Sequence, residues 1–284
     1  MEKFDVIVVG AGVGGSASAL QLARAGLDVL LLDKAKVPGH RNMTGGVLFG
    51  KYLNKYGLSD LLPNFPKEAP VERKITDHIV YGISDPSRKT GSYKVKSFSD
   101  SILAKLGIFR SDFSTGSDYT VLRVKFDRWL SRQALAAGAM LATETTVEDL
   151  LVDDGKVVGV LTPKESIYSD LVIDASGVTS TLVEKAGLRQ RLNPSDVYHG
   201  IKHLYSVGDT EIEEKFRVEG DGFKALLFMG DFMKGVQGGG FIYPNKDSIS
   251  VGLVVSLKSL KEGAIKNLHT WGKPLDLLDN FEGH

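Results

Sequence analysis

The 284-residue sequence contains no cysteine. That absence excludes disulfides, thiolate zinc sites, a catalytic thiol and any cysteine-ligated iron–sulfur cluster within this chain. It also lacks an excess of either charge, because 35 Lys and Arg balance 35 Asp and Glu. Broad electrostatic attraction to nucleic acid needs a basic stripe or a high pI, so no nucleic-acid partner is expected. No apolar run approaches the ~18 residues of a membrane-spanning helix. The N-terminus reads as lacking a signal peptide, since the apolar stretch Val6–Val9 runs straight into glycines. A cytoplasmic compartment fits both features. There is no internal repeat and no low-complexity tract. His40, His78, His199, His203, His269 and His284 show no metal-ligand spacing, and no Ser/His/Asp arrangement stands out. With 42% hydrophobic and 25% charged residues the chain is an ordinary globular one, long enough for two domains at ~150 residues each.

What is present begins at the N-terminus. Phe4–Val9 is an apolar, β-branched run that reads as a buried strand. Gly10-Ala11-Gly12-Val13-Gly14-Gly15 follows, and then Ser16–Ala25, a good helix former stopped at Gly26. A second strand, Leu27–Leu32, ends at Asp33. In such a unit Gly10 permits a tight turn, Gly12 lets the backbone approach a pyrophosphate, and Gly15 lets helix and strand pack closely. The helix start offers N–H groups and a partial positive charge to phosphates. Asp33 stands where an acid can accept hydrogen bonds from ribose hydroxyls. A lone Gly-x-Gly-x-x-Gly is weak evidence. Between two strands, opening a helix and followed by an acid at this distance, it specifies a dinucleotide.

Four later segments extend the pattern. Thr120–Leu130 begins as a strand and enters a helix that carries Phe126, Trp129 and Leu130 at core spacing and ends at Gly138. Met140–Leu151 reads as one strand. Asp153-Asp154-Gly155-Lys156 reads as a hairpin turn and Val157–Leu161 as the return. Asp170–Ala175 is a buried strand ending in the glycine-bearing loop Ser176–Ser180.

These segments resemble the flavoprotein hydroxylase and reductase superfamily. The resemblance implies an extended FAD across the βαβ unit, an Arg ahead of a helix, and a second loop of the form Asp-x-x-x-x-Ala-x-Gly-x-x-Ser. It places Arg123 beside the cofactor, Val147 near the adenine, and Ala175, Ser176 and Gly177 near the pyrophosphate. Gly10, Ala11, Gly12, Val13, Gly14, Gly15, Asp33 and Lys34 form the first part of the same site. Arg123 has a plainer reading as an ion pair with Asp127 one turn on. Hydroxylases of the superfamily carry Asp-Gly where this chain has Ser176-Gly177, which favours the reductase branch.

Three further stretches narrow the resemblance. Arg41–Gly50 is similar to the Asn-x-x-Gly-Gly-x-Leu stretch of FixC-type proteins, as are Ala69–Thr76 and, most strongly, Gly238–Val255. The chain therefore resembles a FixC-type FAD-dependent dehydrogenase, related to electron-transfer-flavoprotein:quinone oxidoreductase and geranylgeranyl reductase. That implies electron transfer through FAD, with electron transfer flavoprotein and a ferredoxin-like subunit as partners and quinone as acceptor. An isoprenoid lipid substrate is the alternative. The lack of cysteine agrees with a cluster held on a separate subunit. Gly45 and Gly46 read as a site where backbone approaches the isoalloxazine ring, or as a plain turn. The Gly238–Val255 hairpin, turning at Asn245-Lys246-Asp247, reads as a floor over the flavin or as a purely structural sheet.

The expected fold is α/β: a Rossmann-like FAD-binding domain of the glutathione-reductase/hydroxylase type with a second, sheet-rich α+β domain. Residues 1–51 and 119–187 are assigned to the first, 52–118 and 188–284 to the second. The resemblance also implies a longer chain, with a third cofactor segment beyond His284. On that reading the 284 residues are a shortened flavoprotein, and a further alternative is an incomplete subunit that needs another chain. Ser101–Phe113 places Ile102, Leu106, Phe109 and Phe113 on one helical face, read either as packing against its own domain or as a peripheral membrane or quinone-facing element. Leu226–Met229 reads as a buried strand. The tail from Leu275 reads as the start of an amphipathic helix.

Overall fold

The structure, a computed structural model, describes residues 3–42, 45–50, 58–83, 93–96, 118–218, 220–266 and 274–282. The 101–113 stripe lies outside the described residues. In chain order the elements are β1 (Lys3–Val9), α1 (Val13–Arg24), β2 (Val29–Leu32), β3 (Gly45–Leu48), α2 (Leu58–Leu61), β4 (Val71–Ile83), β5 (Tyr93–Lys96) and β6 (Asp118–Leu122). There follow α3 (Arg123–Ala136), β7 (Met140–Ala142), β8 (Asp149–Asp153), β9 (Lys156–Leu161), β10 (Ser166–Asp174) and α4 (Leu182–Lys185). The rest comprises β11 (Tyr198–Ser206), α5 (Asp209–Phe216), β12 (Phe223–Gly230), β13 (Gly238–Pro244), β14 (Ser248–Ser256), α6 (Leu257–Lys266) and α7 (Pro274–Glu282).

The chain divides into two compact units. The first holds Met1–Asn42, Leu58–Pro70 and Arg123–Arg191, the second Met43–Gly57, Val71–Leu122 and Leu192–His284. This differs from the boundaries expected from sequence. Gly45–Leu48 and Asp118–Leu122 pair with each other as strands of the second sheet, so they leave the first unit. Residues 58–70 join it instead; Arg24 donates to the Leu61 carbonyl at 2.6 Å.

The first unit has a six-stranded sheet ordered β7-β2-β1-β10-β9-β8. Its β7, β2, β1 and β10 run parallel, and β9 and β8 are antiparallel. All four residues of β2 are buried, as are Val6–Val9, which is why both strands are continuous apolar runs instead of alternating ones. Helix α1 turns Ala19, Leu20 and Ala23 inward and packs against α3, which buries Phe126, Leu130 and Ala134. Gly26 (φ +85°) and Gly138 (φ +107°) follow the two helices in the left-handed conformation that ends a helix without strain. The strand expected over Met140–Leu151 is two strands. Thr143–Glu148 leaves the sheet because the Thr145 N–H donates to the Asp33 carbonyl (2.9 Å) and the Glu144 N–H to Ala35 (3.2 Å). The hairpin turn itself has Asp154 and Gly155 at φ +45° and +73° between β8 and β9, as a two-residue primed turn requires.

The second unit has an eight-stranded, mixed sheet ordered β11-β14-β13-β12-β4-β6-β3, with β5 paired to β4. Strands β12 and β4 run parallel, and every other pair among these is antiparallel. Strands β13 and β14 form the hairpin that turns through Asn245-Lys246-Asp247. The Leu226–Met229 stretch lies in β12, although Met229 is 47% exposed. One core cluster joins Phe232, Leu253 and Val255 to Leu277, Leu278 and Phe281 of α7.

The hairpin tip is held from several directions. Arg73 donates to the carbonyls of Asn245 (3.2 Å) and Lys246 (2.9 Å), pairs with Glu213 (2.7 Å) and Asp209, and lies 4.5 Å above the Phe223 ring. Thr120 Oγ1 donates to Pro244 at 2.7 Å. Deeper in the unit, His78 Nε2 meets Asp118 Oδ2 at 2.8 Å, and Asp118 also accepts the Gly50 N–H. Among the described residues no helix is long and apolar enough to cross a membrane, and no group of His, Asp and Glu could hold a metal.

Candidate dinucleotide site

The first unit contains a cleft of about 970 Å³ at the carboxyl ends of its parallel strands. That is where open α/β sheets leave a crevice for ligands. Three loops build it. The first is Val9–Gly14 between β1 and α1, the second Leu32–Ala35 after β2, and the third Asp174–Leu182 after β10. Thr145, Thr146 and Val147 add a side wall, as do Gly39, Arg41, Asn42, Arg123 and Asp127.

The first loop is set by glycine. Gly10 has φ +104°, and a Cβ there would lie 2.5 Å from the Ala175 carbonyl oxygen. A Cβ on Gly15 would lie 1.8 Å from the Gly10 oxygen, so only glycine lets α1 begin this close to the turn. At Gly12 and Gly14 the situation is reversed. A Cβ on Gly12 meets nothing nearer than 3.9 Å and one on Gly14 nothing within 4 Å, which leaves the backbone open to a ligand. Helix α1 starts without a capping side chain and without an acid in its first turn. Its first N–H groups and their partial positive charge therefore remain for an anion.

Asp33 faces the same space and also braces the loop. Its Oδ2 accepts the Ala11 N–H at 2.8 Å and its Oδ1 the Ala35 N–H at 2.7 Å. An ionised carboxylate has about four acceptor positions, so two remain for ligand hydroxyls. Lys34 lines the cleft beside it.

Arg123 opens α3 and makes a bidentate pair with Asp127, Nε to Oδ1 at 2.7 Å and Nη2 to Oδ2 at 2.9 Å. Arg123 is thus ion-paired, as its plainer reading has it, and also lines the cleft. Asp127 is fully buried, and Gly39 (φ +78°) packs so tightly on it that a Cβ would fall 2.6 Å from the Asp127 Cβ.

The third loop is organised by Asp174. Its Oδ1 accepts both the N–H (2.9 Å) and the hydroxyl (2.6 Å) of Ser176, and its Oδ2 accepts the Ser180 hydroxyl. Burial pushes the Asp174 carboxyl up, but the Ser176 and Ser180 hydroxyls and the Ser176 and Val183 N–H groups outweigh it. The result lies below the ordinary carboxylate value.

Of the residues singled out in the sequence, Gly10, Gly12, Val13, Gly14, Asp33, Lys34, Arg123, Val147, Ala175, Ser176 and Gly177 line this cleft. Ala11 and Gly15 are buried directly behind it. Gly45 and Gly46 are strand residues of β3 in the second unit, paired with Leu122 and Val121, and form neither a loop nor a turn. Sequence reasoning missed Gly39, Asp127 as a cleft residue, Thr145 and Asp174. The spacing of Asp174, Ser176 and Ser180 was the available signal, because an acid followed by serines is a local hydrogen-bonding pattern.

Fold and site together define an α/β dinucleotide-binding protein whose cleft presents open backbone at the glycine loop and helix start. Residues 5–199 match the family described as FAD dependent oxidoreductase. The chain belongs to that family, a FixC-like member with FAD as its cofactor. It is 39% identical over 261 residues to the Protein FixC of Escherichia coli K12, covering 91% of this chain and 56% of that protein. It is 34% identical over 286 residues to the Protein FixC of Bradyrhizobium diazoefficiens, covering 100% of this chain and 60% of the relative. The chain thus spans somewhat more than half the length of these relatives. Among solved structures, a geranylgeranyl bacteriochlorophyll reductase-like protein of Thermoplasma acidophilum superposes with a TM-score of 0.70 at 24% identity, covering 100% of this chain and 62% of the other. The flavin-dependent brominase Bmp2 superposes with 0.68 at 18% identity, covering 100% and 62%. These two likenesses concern the fold. The residues present fit a flavin dinucleotide: the cradle lacks Cβ atoms where a ligand would approach, the helix start is uncapped, and acceptors flank it.

Proposed function

We propose that this chain is a FixC-type flavoprotein that passes electrons between an electron transfer flavoprotein and quinone or a ferredoxin. The observation that carries the proposal is the cleft of the first unit, where an uncapped helix start, Asp33 and the Asp174–Ser180 loop converge. We read this unit as the Rossmann-like domain of the glutathione-reductase/hydroxylase type. FAD, when bound, supplies the redox chemistry through its isoalloxazine ring. The α1 N–H groups hold the diphosphate, and Asp33 accepts from ribose hydroxyls beside Lys34. Val147 offers an apolar wall to the adenine. Arg123, fixed by Asp127, keeps a cation beside the cleft without leaving the guanidinium free to wander. The identity to FixC over 91% of the chain supports the electron-transfer assignment. A cytoplasmic location with peripheral contact at the inner face of a membrane belongs to the same proposal, because quinone is lipid-borne.

The test is the absorbance spectrum of the purified chain after incubation with FAD and gel filtration. Co-eluting flavin at one equivalent, reducible by electron transfer flavoprotein, is the expected result. No retained flavin removes the cofactor site. Retained flavin that electron transfer flavoprotein does not reduce, but that after chemical reduction with dithionite passes two electrons and two protons to each double bond of geranylgeranyl lipid and is itself reoxidised, moves the chain to the reductase alternative.

A further inference from the structure

A serine hydroxyl has one proton and two lone pairs, so what it can offer a ligand depends on where the proton goes. In the third cleft loop both serine protons are already committed. Ser176 Oγ donates to Asp174 Oδ1 at 2.6 Å, and Ser180 Oγ donates to Asp174 Oδ2. Ser180 is 7% exposed and its oxygen also accepts the Leu182 N–H at 3.2 Å, which makes it part of the loop's internal bracing. Ser176 is half-buried, lines the cleft, and has no other side-chain partner among the described residues.

We propose that Asp174 is a positioning residue that, acting through Ser176, makes the third wall of the cleft an acceptor for a hydroxyl of the bound dinucleotide. With its proton on the carboxylate, Ser176 Oγ has only lone pairs left to present. It cannot donate to a phosphate oxygen, which itself only accepts. A ribose or ribityl hydroxyl, which donates, is the matching group. The two sides of the cleft then divide the ligand by chemistry. The α1 start supplies donors for the diphosphate, while Asp33 and the Asp174–Ser176 pair supply acceptors for sugar hydroxyls. Ionised Asp174 is what keeps the proton pointing inward, and its four hydrogen bonds favour the ionised form.

This inference rests on FAD occupying the cleft, and the experiment separates the two. FAD affinity of the whole chain is measured by quenching of flavin fluorescence for wild type, Asp174→Asn, Ser176→Ala, Ser176→Thr and the Asp174→Asn/Ser176→Ala double variant. An asparagine at 174 can donate through its amide, which turns the Ser176 proton outward. Asp174→Asn and Ser176→Ala should each weaken FAD by about tenfold, the range of one charge-assisted hydrogen bond. The double variant should be no weaker than either single one, because the pair acts as a unit. Ser176→Thr, which keeps the hydroxyl, should bind as wild type does. Wild-type affinity in either single variant overturns the proposal, and so do losses that add in the double. Should Asp174→Asn not fold, Ser176→Ala against Ser176→Thr still decides it. A wild-type chain that binds no FAD overturns the FAD reading itself, and this inference with it.

Discussion

Asp33 Oδ2 accepts the Ala11 N–H at 2.8 Å, so the acid at the end of β2 holds in place the glycine loop that it faces. Its other oxygen takes the Ala35 N–H, and its backbone carbonyl takes the N–H of Thr145. One residue therefore fixes the relative position of three cleft segments before any ligand arrives. Asp33→Asn keeps a single acceptor oxygen and Asp33→Ala keeps none. We expect Asp33→Ala to destabilise the chain by about 1–3 kcal/mol, the cost of leaving a partly buried N–H unpaired. Urea denaturation measures this, and hydrogen exchange should show the Ala11 amide losing protection. An unchanged midpoint with an unchanged Ala11 exchange rate would sink the bracing role.

The glycines of the first loop should separate into two kinds. Gly15→Ala sets a methyl 1.8 Å from the Gly10 carbonyl oxygen, which is backbone and has nowhere to move. A destabilisation of about 1–3 kcal/mol is expected for this overpacking. Gly14→Ala meets nothing within 4 Å and replaces glycine in a helix, so it should stabilise the ligand-free chain by up to about 1 kcal/mol. Thermal melts of both variants test the contrast. Equal effects would contradict the geometry.

Arg73→Lys in the second unit should behave as a disruptive change. One guanidinium bonds two loop carbonyls, pairs with Glu213 and Asp209 and covers the Phe223 ring. An ammonium reproduces a point charge and little of that fork. We expect a loss of about 1–3 kcal/mol from the charged hydrogen bonds to Asn245 and Lys246, with faster exchange confined to the 244–248 turn. A variant as stable as the parent, with an unaltered turn, counts against this clamp.

Two groups give pH signatures of opposite kind. Asp174 sits below its ordinary value because of the Ser176 and Ser180 hydrogen bonds that overcome its burial. Its contribution is therefore present above the unfolded value and is lost as pH falls through the lower folded one. Carboxyl-detected NMR should find its midpoint below that of an ordinary aspartate, moving up in Ser176→Ala. Burial pushes the Tyr243 phenol up to about 12. The folded state then holds a proton that the unfolded chain releases near pH ~10, so stability declines as pH rises from there towards 12. Phenolate absorbance should show a late component that disappears in Tyr243→Phe.

Much of the first unit was legible because its signals are local. The β1–α1–β2 unit follows from an apolar run, glycines at fixed offsets and an acid, and each of those is a neighbour in sequence of what it controls. The β8–β9 turn and the β13–β14 hairpin were legible for the same reason, since turn chemistry lies within a few residues. The Met140–Leu151 run misled because β-propensity is continuous there while the hydrogen bonds to Asp33 and Ala35 that pull Thr143–Glu148 out come from another part of the chain. At Gly45 and Gly46 the strand was not legible, because a glycine pair signals a turn unless a distant strand, here β6, takes its backbone.

The sequence by itself determined the β1–α1–β2 unit, with its glycine turn and the acid that follows β2, because that information is carried by spacing along a single segment. Only the tertiary structure decided that Thr143–Glu148 leaves the first sheet and that β3 and β6 belong to the second. Those outcomes depend on which hydrogen-bond partner wins among groups far apart in the chain, and no local pattern encodes that competition.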